Sequence, residues 1–191
     1  MRALFASLAL ALALLAGARA SAALAPLASG VRPRAWRYIV VHHSGTAGGS
    51  VRAFEAFHRG VRRMPRGMAY HFVIGNGRGL ADGAVEAGSR WSLQQPGAHV
   101  ASALREPGTG VPLDEVAVGI CLVGNNDAAP PTPRQLRALR ELVGALRRTY
   151  AIRAERVLGH NEVPGTHTAC PGSHLAMPAL RAAQQRPLNP R

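Results

Sequence analysis

Eight histidines and two cysteines are the side chains of this 191-residue sequence best suited to hold a metal ion, because imidazole nitrogen and thiolate sulfur are the donors that zinc-like ions prefer. They concentrate in two places. His42 and His43 follow the apolar run Trp36 to Val41, and a strand that ends in polar residues delivers them to the rim of a sheet, where α/β proteins build sites. Alternation along a strand sends the two side chains to opposite faces, so both cannot serve one ion; for His43, packing or a loop hydrogen bond is the better reading. The second cluster lies between Gly159 and Gly172, a Gly- and Pro-rich stretch carrying His160, His167 and Cys170. A loop of that composition can fold back and bring His160 and Cys170 to one ion. Spacing by itself leaves the ordinary alternative open, in which each histidine is satisfied structurally.

The elements that must position these residues can be read from periodicity and turn chemistry. Trp36 to Val41 is aromatic and β-branched, as a buried strand is. Ser50 can cap a helix whose stripe is Val51, Phe54, Phe57, His58 and Val61. Gly67 to Ile74 reads as a strand, the turn at Asn76-Gly77 leads to a short strand near Ala84 to Glu86, and Val116 to Val123, apolar on both faces, reads as a central strand. Between them Ser89 to Glu115 is loop-rich, a place for substrate contacts more than for core. Thr132-Pro133-Arg134-Gln135 combines a capping box with Pro at the first helical position. Leu136, Leu139, Val143, Leu146 and Tyr150 follow as one apolar stripe. A strand near Arg156 to Leu158 and a short helix over His174 to Ala183 complete the reading. Strands and helices interleave, so the expectation is a single α/β domain, a mixed central sheet with helices on its faces.

Composition bounds what such a domain can be. Hydrophobic residues make up 47% and charged residues 17%, which places the chain among globular proteins and away from disordered ones. Residues 1–20 have the form of a cleaved signal peptide: Met1-Arg2, an apolar run from Ala3 to Ala16, and Ala18-Arg19-Ala20 as the small-x-small cleavage signal. The run is shorter than the roughly 20 residues that span a bilayer. Residues 21–35 then read as a linker or arm, 36–183 as the domain, and 184–191 as a disordered tail. The formal charge is +13, carried by arginine alone because the sequence has no lysine. That charge suits nucleic acid or an anionic cell envelope. Export favours the envelope, and the arginines lack the aromatic interleaving of nucleic-acid motifs.

The sequence resembles the type-2 N-acetylmuramoyl-L-alanine amidases, the family of the phage amidase-type lysozymes and the animal peptidoglycan recognition proteins. The resemblance rests on five motifs in order: Ile39 to Ser44 (IVVHHS), Tyr70 to Ile74 (YHFVI), Gly97 to His99 (GAH), Val118 to Gly124 (VGICLVG), and Gly159-His160 through Cys170-Pro171-Gly172. Together they span about Tyr38 to Gly172.

The resemblance implies one zinc held by His42, His160 and Cys170 with the fourth position open. It also implies hydrolysis of the amide between N-acetylmuramic acid and L-alanine. Tyr70 with Cys121 follows the branch that pairs a tyrosine with a non-acid, so Cys121 is not a catalytic base. Thr168 stands where catalytic animal members have Thr and phage enzymes have Lys. Tyr70, His99 and Thr168 are the expected hydrogen-bond donors to the transition state, and His71 is expected to be structural. A thiolate on zinc is unavailable for a disulfide, so Cys121 and Cys170 are expected unpaired. A non-catalytic peptidoglycan-binding protein is the alternative, although such members characteristically lose the cysteine ligand. A third class, a basic exported protein that binds anionic polymers, explains none of the five motifs. The expected partner is peptidoglycan or a muropeptide, with no nucleic acid, no stable membrane insertion and a monomeric state, in the periplasm or outside the cell.

Overall fold

A computed structural model describes residues 31–184; the expected signal peptide, most of the linker and the last seven residues of the expected tail lie outside them. The strands are β1 (Tyr38–His43), β2 (Phe72–Ile74), β3 (Val85–Ala87), β4 (Ala117–Leu122) and β5 (Val157–Gly159). The helices are α1 (Val51–Gly60), α2 (Ser89–Ser92), α3 (Pro133–Tyr150) and α4 (Met177–Ala182). The five strands form one sheet in the order β3-β2-β4-β1-β5. β4 lies parallel to both β1 and β2, β5 is parallel to β1, and β3 is antiparallel to β2. The sheet is therefore mixed, with the uniformly apolar β4 at its centre. Among the described residues no helix is long and apolar enough to cross a membrane.

Pairing of Val40 with Gly119, Val41 with Ile120 and His42 with Cys121 sets the register and sorts side chains between the two faces. One face carries Ile39, Val41, Val118, Ile120, Leu122, Phe72 and Ile74 against Leu139, Leu142, Val143 and Leu146 of α3. This is the main core, and α3 is built to cover it. Thr132 accepts the Gln135 backbone N–H at 3.0 Å, while the Gln135 side chain accepts from Thr132 N at 3.1 Å, closing the capping box. The Gln135 amide also donates to the Ile74 and Val123 carbonyls at 3.1 and 2.8 Å, which ties the start of α3 to the ends of β2 and β4.

The opposite face is divided. Val40 and Ala117 belong to a small apolar cluster with Val100, Leu113, Val116 and Val163. Cys121 and Val73 belong to another with Phe54 and Met68. On β1, His42 follows Val40 on this face, and on β4, Gly119 separates Ala117 from Cys121.

Several boundaries differ from the sequence expectation. β1 continues through His43, so the two histidines lie within the strand, paired with Cys121 and Leu122. β2 begins at Phe72; the five residues before it run without strand pairing from Gly67, whose φ of +73° only glycine adopts readily. α1 is capped by Ser50 as expected, with Ala53 N donating to its hydroxyl at 3.2 Å. The expected stripe on α1 is only partly buried: Phe54 packs inward, but Phe57 is 48% and Val61 67% exposed. Helical periodicity alone could not show that α1 meets the sheet along a narrow line. The loop-rich segment also supplies core, since Trp91, Val100 and Leu113 are buried.

At the outer border of β5, side chains take the place of a further strand. Arg181 donates to the Val157 carbonyl at 3.2 Å, and Glu162 accepts the Gly159 N–H at 2.8 Å. The two side chains pair with each other at 2.6 and 2.9 Å.

Candidate metal centre

His42 near the end of β1 and His160 directly after β5 reach the same corner because the two strands are parallel neighbours. Cys170 arrives on the loop that returns from His160. The loop is held folded by Thr166, whose hydroxyl donates to the His160 carbonyl at 2.9 Å, and by the Asn161 N–H, which donates to the Cys170 carbonyl at 2.7 Å. Asn126 fixes the far side, donating to the Pro171 carbonyl at 2.9 Å. It packs so closely on Gly172 that a Cβ there would lie 2.5 Å from the Asn126 main chain.

The result is a compact donor set. One ring nitrogen from each of His42 and His160 and the Cys170 sulfur all lie within 4.8 Å of one another. His42 Nδ1 is 3.6 Å from Cys170 Sγ. The His160 ring makes no hydrogen bond among the described residues, so its donor nitrogens are uncommitted.

Burial holds His42 well below the ordinary imidazole pKa, reinforced by His99, His160 and His43. Burial lowers His160 as well. Both rings are thus neutral, the form that binds a metal. Burial pushes the Cys170 thiol up to about 11, opposed by the His43 N–H that points at its sulfur from 3.4 Å. A thiol so disfavoured as a free thiolate needs a cation to ionise, and metal binding would release its proton. Two neutral imidazoles, one thiol and an open side make a donor set that fits a three-ligand site.

The open side is a cleft of about 300 Å³ lined by these three residues and by His58, Arg62, Tyr70 and Ala98, among others. Tyr70 sits with its ring centroid 5.1 Å from that of His42. Burial first, then Cys121 and Cys170, raises its phenol above the ordinary range. It remains a hydrogen-bond donor and is unsuited to be a base.

Thr168 is exposed on the loop before Cys170, where its hydroxyl accepts the Cys170 N–H at 3.2 Å and keeps its own proton available. His43 accepts the Asn126 N–H at 3.0 Å through Nδ1, a loop-fixing bond as expected. His71 is buried between strands, accepting the Gly119 N–H at 2.9 Å and pairing with the Gln95 carbonyl at 3.0 Å. Cys121 is buried and both cysteines are unpaired.

His99 stands next to His42 in the same cleft. It is buried, with Nδ1 3.1 Å from His42 Nε2 and Nε2 3.2 Å from the Ala117 carbonyl. Within the cleft both ring nitrogens already have partners.

His58 and Arg62 were not singled out from the sequence as site residues. The signal for them was present in part: His58 falls one turn after Phe54 on α1, and its Nδ1 pairs with the Phe54 carbonyl at 2.7 Å. Arg62 follows one turn later, past the end of the regular helix, where periodicity no longer applies.

The class defined by this arrangement is an α/β protein whose parallel-sheet corner gathers two histidines and a cysteine beside a half-buried tyrosine. The family model described as N-acetylmuramoyl-L-alanine amidase matches residues 32–173, and the chain belongs to that family. The N-acetylmuramoyl-L-alanine amidase LysC from Clostridium intestinale URNW is similar at 26% identity and a TM-score of 0.62, over 78% of this chain and 85% of that one. Drosophila PGRP-LB in a mutant form complexed with tracheal cytotoxin is similar in fold, at 24% identity and a TM-score of 0.55, over 76% of this chain and 85% of that one. Bumblebee PGRP-SA shares the fold at 22% identity and a TM-score of 0.56, over 77% and 86% of the two chains. No curated protein matches the sequence.

Proposed function

We propose that this chain is a zinc-dependent hydrolase that cleaves the amide between N-acetylmuramic acid and L-alanine in peptidoglycan or in muropeptides. The observation that carries this reading is the convergence of His42, His160 and Cys170 at the floor of an open cleft beside Tyr70. These three residues would hold the ion. Bound there, zinc supplies a Lewis acid for the amide carbonyl and lowers the pKa of water toward roughly 7.

The remaining work falls to the chain's own groups. Tyr70, kept protonated by burial, donates to the oxygen on which negative charge develops. Thr168 holds the Cys170 main chain through its hydroxyl oxygen and offers its proton to the same charge. Arg62 lines the cleft with an exposed guanidinium, which suits the carboxylates of a stem peptide.

In this reading residues 1–20 direct export and are removed, 21–35 are a linker and 36–183 the amidase domain. The protein acts as a periplasmic or secreted monomer. A second reading is binding of peptidoglycan or muropeptides without turnover; the mutant PGRP-LB relative, solved with tracheal cytotoxin, supports the binding it shares with the first.

Purified protein incubated with peptidoglycan sacculi separates the two. Free stem peptides beginning with L-alanine, found by mass analysis and abolished by a zinc chelator, are the expected products. Retention on sacculi with no released peptide would favour binding alone.

A further inference from the structure

We propose that His99 is a positioning residue that fixes the tautomer and orientation of ligand His42; this rests on the metal reading above. His42 presents Nδ1 to the Cys170 sulfur at 3.6 Å and Nε2 to His99 Nδ1 at 3.1 Å. A neutral imidazole that gives a metal its Nδ1 lone pair must carry its proton on Nε2. That proton then has one destination, the lone pair of His99 Nδ1.

His99 must in turn carry its proton on Nε2, which lies 3.2 Å from the Ala117 carbonyl oxygen. The carbonyl sets the direction of the whole chain, because it can only accept. Were His99 protonated on Nδ1, its Nε2 lone pair would face the carbonyl oxygen, acceptor against acceptor, in a buried site where an unmade hydrogen bond is costly. His42 would then be protonated on Nδ1, with a hydrogen where the metal belongs.

The seat of His99 is built for its ring. A Cβ added at Gly119 would lie 2.3 Å from His99 Cδ2, and one added at Gly97 2.5 Å from it. The two glycines therefore make room for the ring on two sides. Asp114 accepts the His99 backbone N–H at 3.1 Å, and the His99 side chain is fully buried. The ring has no rotational freedom to offer a different nitrogen. His71, also buried nearby, spends its nitrogens on Gly119 and Gln95 and takes no part.

Two measurements on the full chain test this. Zinc affinity by chelator competition is compared for the parent, His99→Leu and His99→Asn. Leucine removes the acceptor, and zinc is expected to bind 10–100-fold more weakly, the usual cost of losing a ligand's outer partner. Asparagine places a carbonyl oxygen near the position of Nδ1, and most of the affinity is expected to return. Parent-like affinity in the leucine variant, or equal loss in both variants, would overturn the assignment.

Ring-nitrogen NMR of the zinc-free parent needs no variant to fold. His42 and His99 are both expected as Nε2–H tautomers, and an Nδ1–H on His99 overturns the proposal. A parent that binds no zinc while showing these tautomers would sink the metal reading and the proposal's purpose together. Parent binding with an unaffected leucine variant sinks the proposal alone.

Discussion

The two faces of the sheet are made by the same strands and do opposite work. Toward α3, β1 contributes Ile39 and Val41 and β4 contributes Val118, Ile120 and Leu122, and up to His43 at the rim the face is one continuous core. Toward the cleft, the intervening residues are Val40, His42, Ala117, Gly119 and Cys121, and the apolar surface breaks into two small clusters. Each strand thus invests one face in stability and gives up packing on the other to seat imidazoles. A buried histidine with both nitrogens paired contributes less than a packed Leu or Ile and costs more if a partner is lost. The division teaches that substitutions on the two faces should separate cleanly, stability on one side and metal and turnover on the other.

The sharpest separation should come from Cys170→Ser. An alcohol is a far weaker ligand than a thiolate, so elemental analysis should find most of the zinc gone and sacculus digestion near background. The melting temperature of the zinc-free protein should barely move, because serine is close in size to the half-buried cysteine it replaces. Full zinc content in that variant would break the comparison.

Leu142→Ala on the opposite face should do the reverse. Leu142 is fully buried under the sheet, and its truncation should cost about 2–5 kcal/mol of unfolding free energy in a denaturant titration. Zinc stoichiometry and turnover below the melting range should match the parent. A variant that lost zinc while remaining folded would show that the two faces are coupled through the strands.

Tyr70→Phe sharpens the picture within the cleft face. Loss of one preorganised donor should lower kcat and kcat/KM together by about 10²–10³. Zinc content should be unchanged, since Tyr70 is outside the donor set. Near-normal turnover would remove Tyr70 from the chemistry and leave Thr168 as the donor to examine.

How much of this was legible in the sequence follows from the range over which each signal acts. The capping box at Thr132 and the stripe after it are local, and α3 stands where they put it. β4 was legible as central because only a doubly covered strand is apolar throughout. The donor residues were visible as types, but their convergence depends on β1 and β5 being parallel neighbours across more than a hundred residues. That information entered through the family motifs.

The orientation of His99 was out of reach. Whether a histidine aims a nitrogen at a cleft or at a carbonyl depends on the room left by Gly97 and Gly119, which no periodicity records. The exposure of Phe57 and Val61 escaped for a similar reason: a stripe gives a direction but not the width of the contact.

The ion pair along β5 has a consequence for how the protein behaves in company. An open sheet border is a template onto which another chain can add, the first step toward fibrils and domain-swapped assemblies. Here the outward carbonyl of Val157 and the outward N–H of Gly159 are already occupied by Arg181 and Glu162, and β3 at the other border is only three residues long. Neither margin offers a stretch long enough to zip onto, so crowding should not recruit copies of this chain into strand-to-strand aggregates.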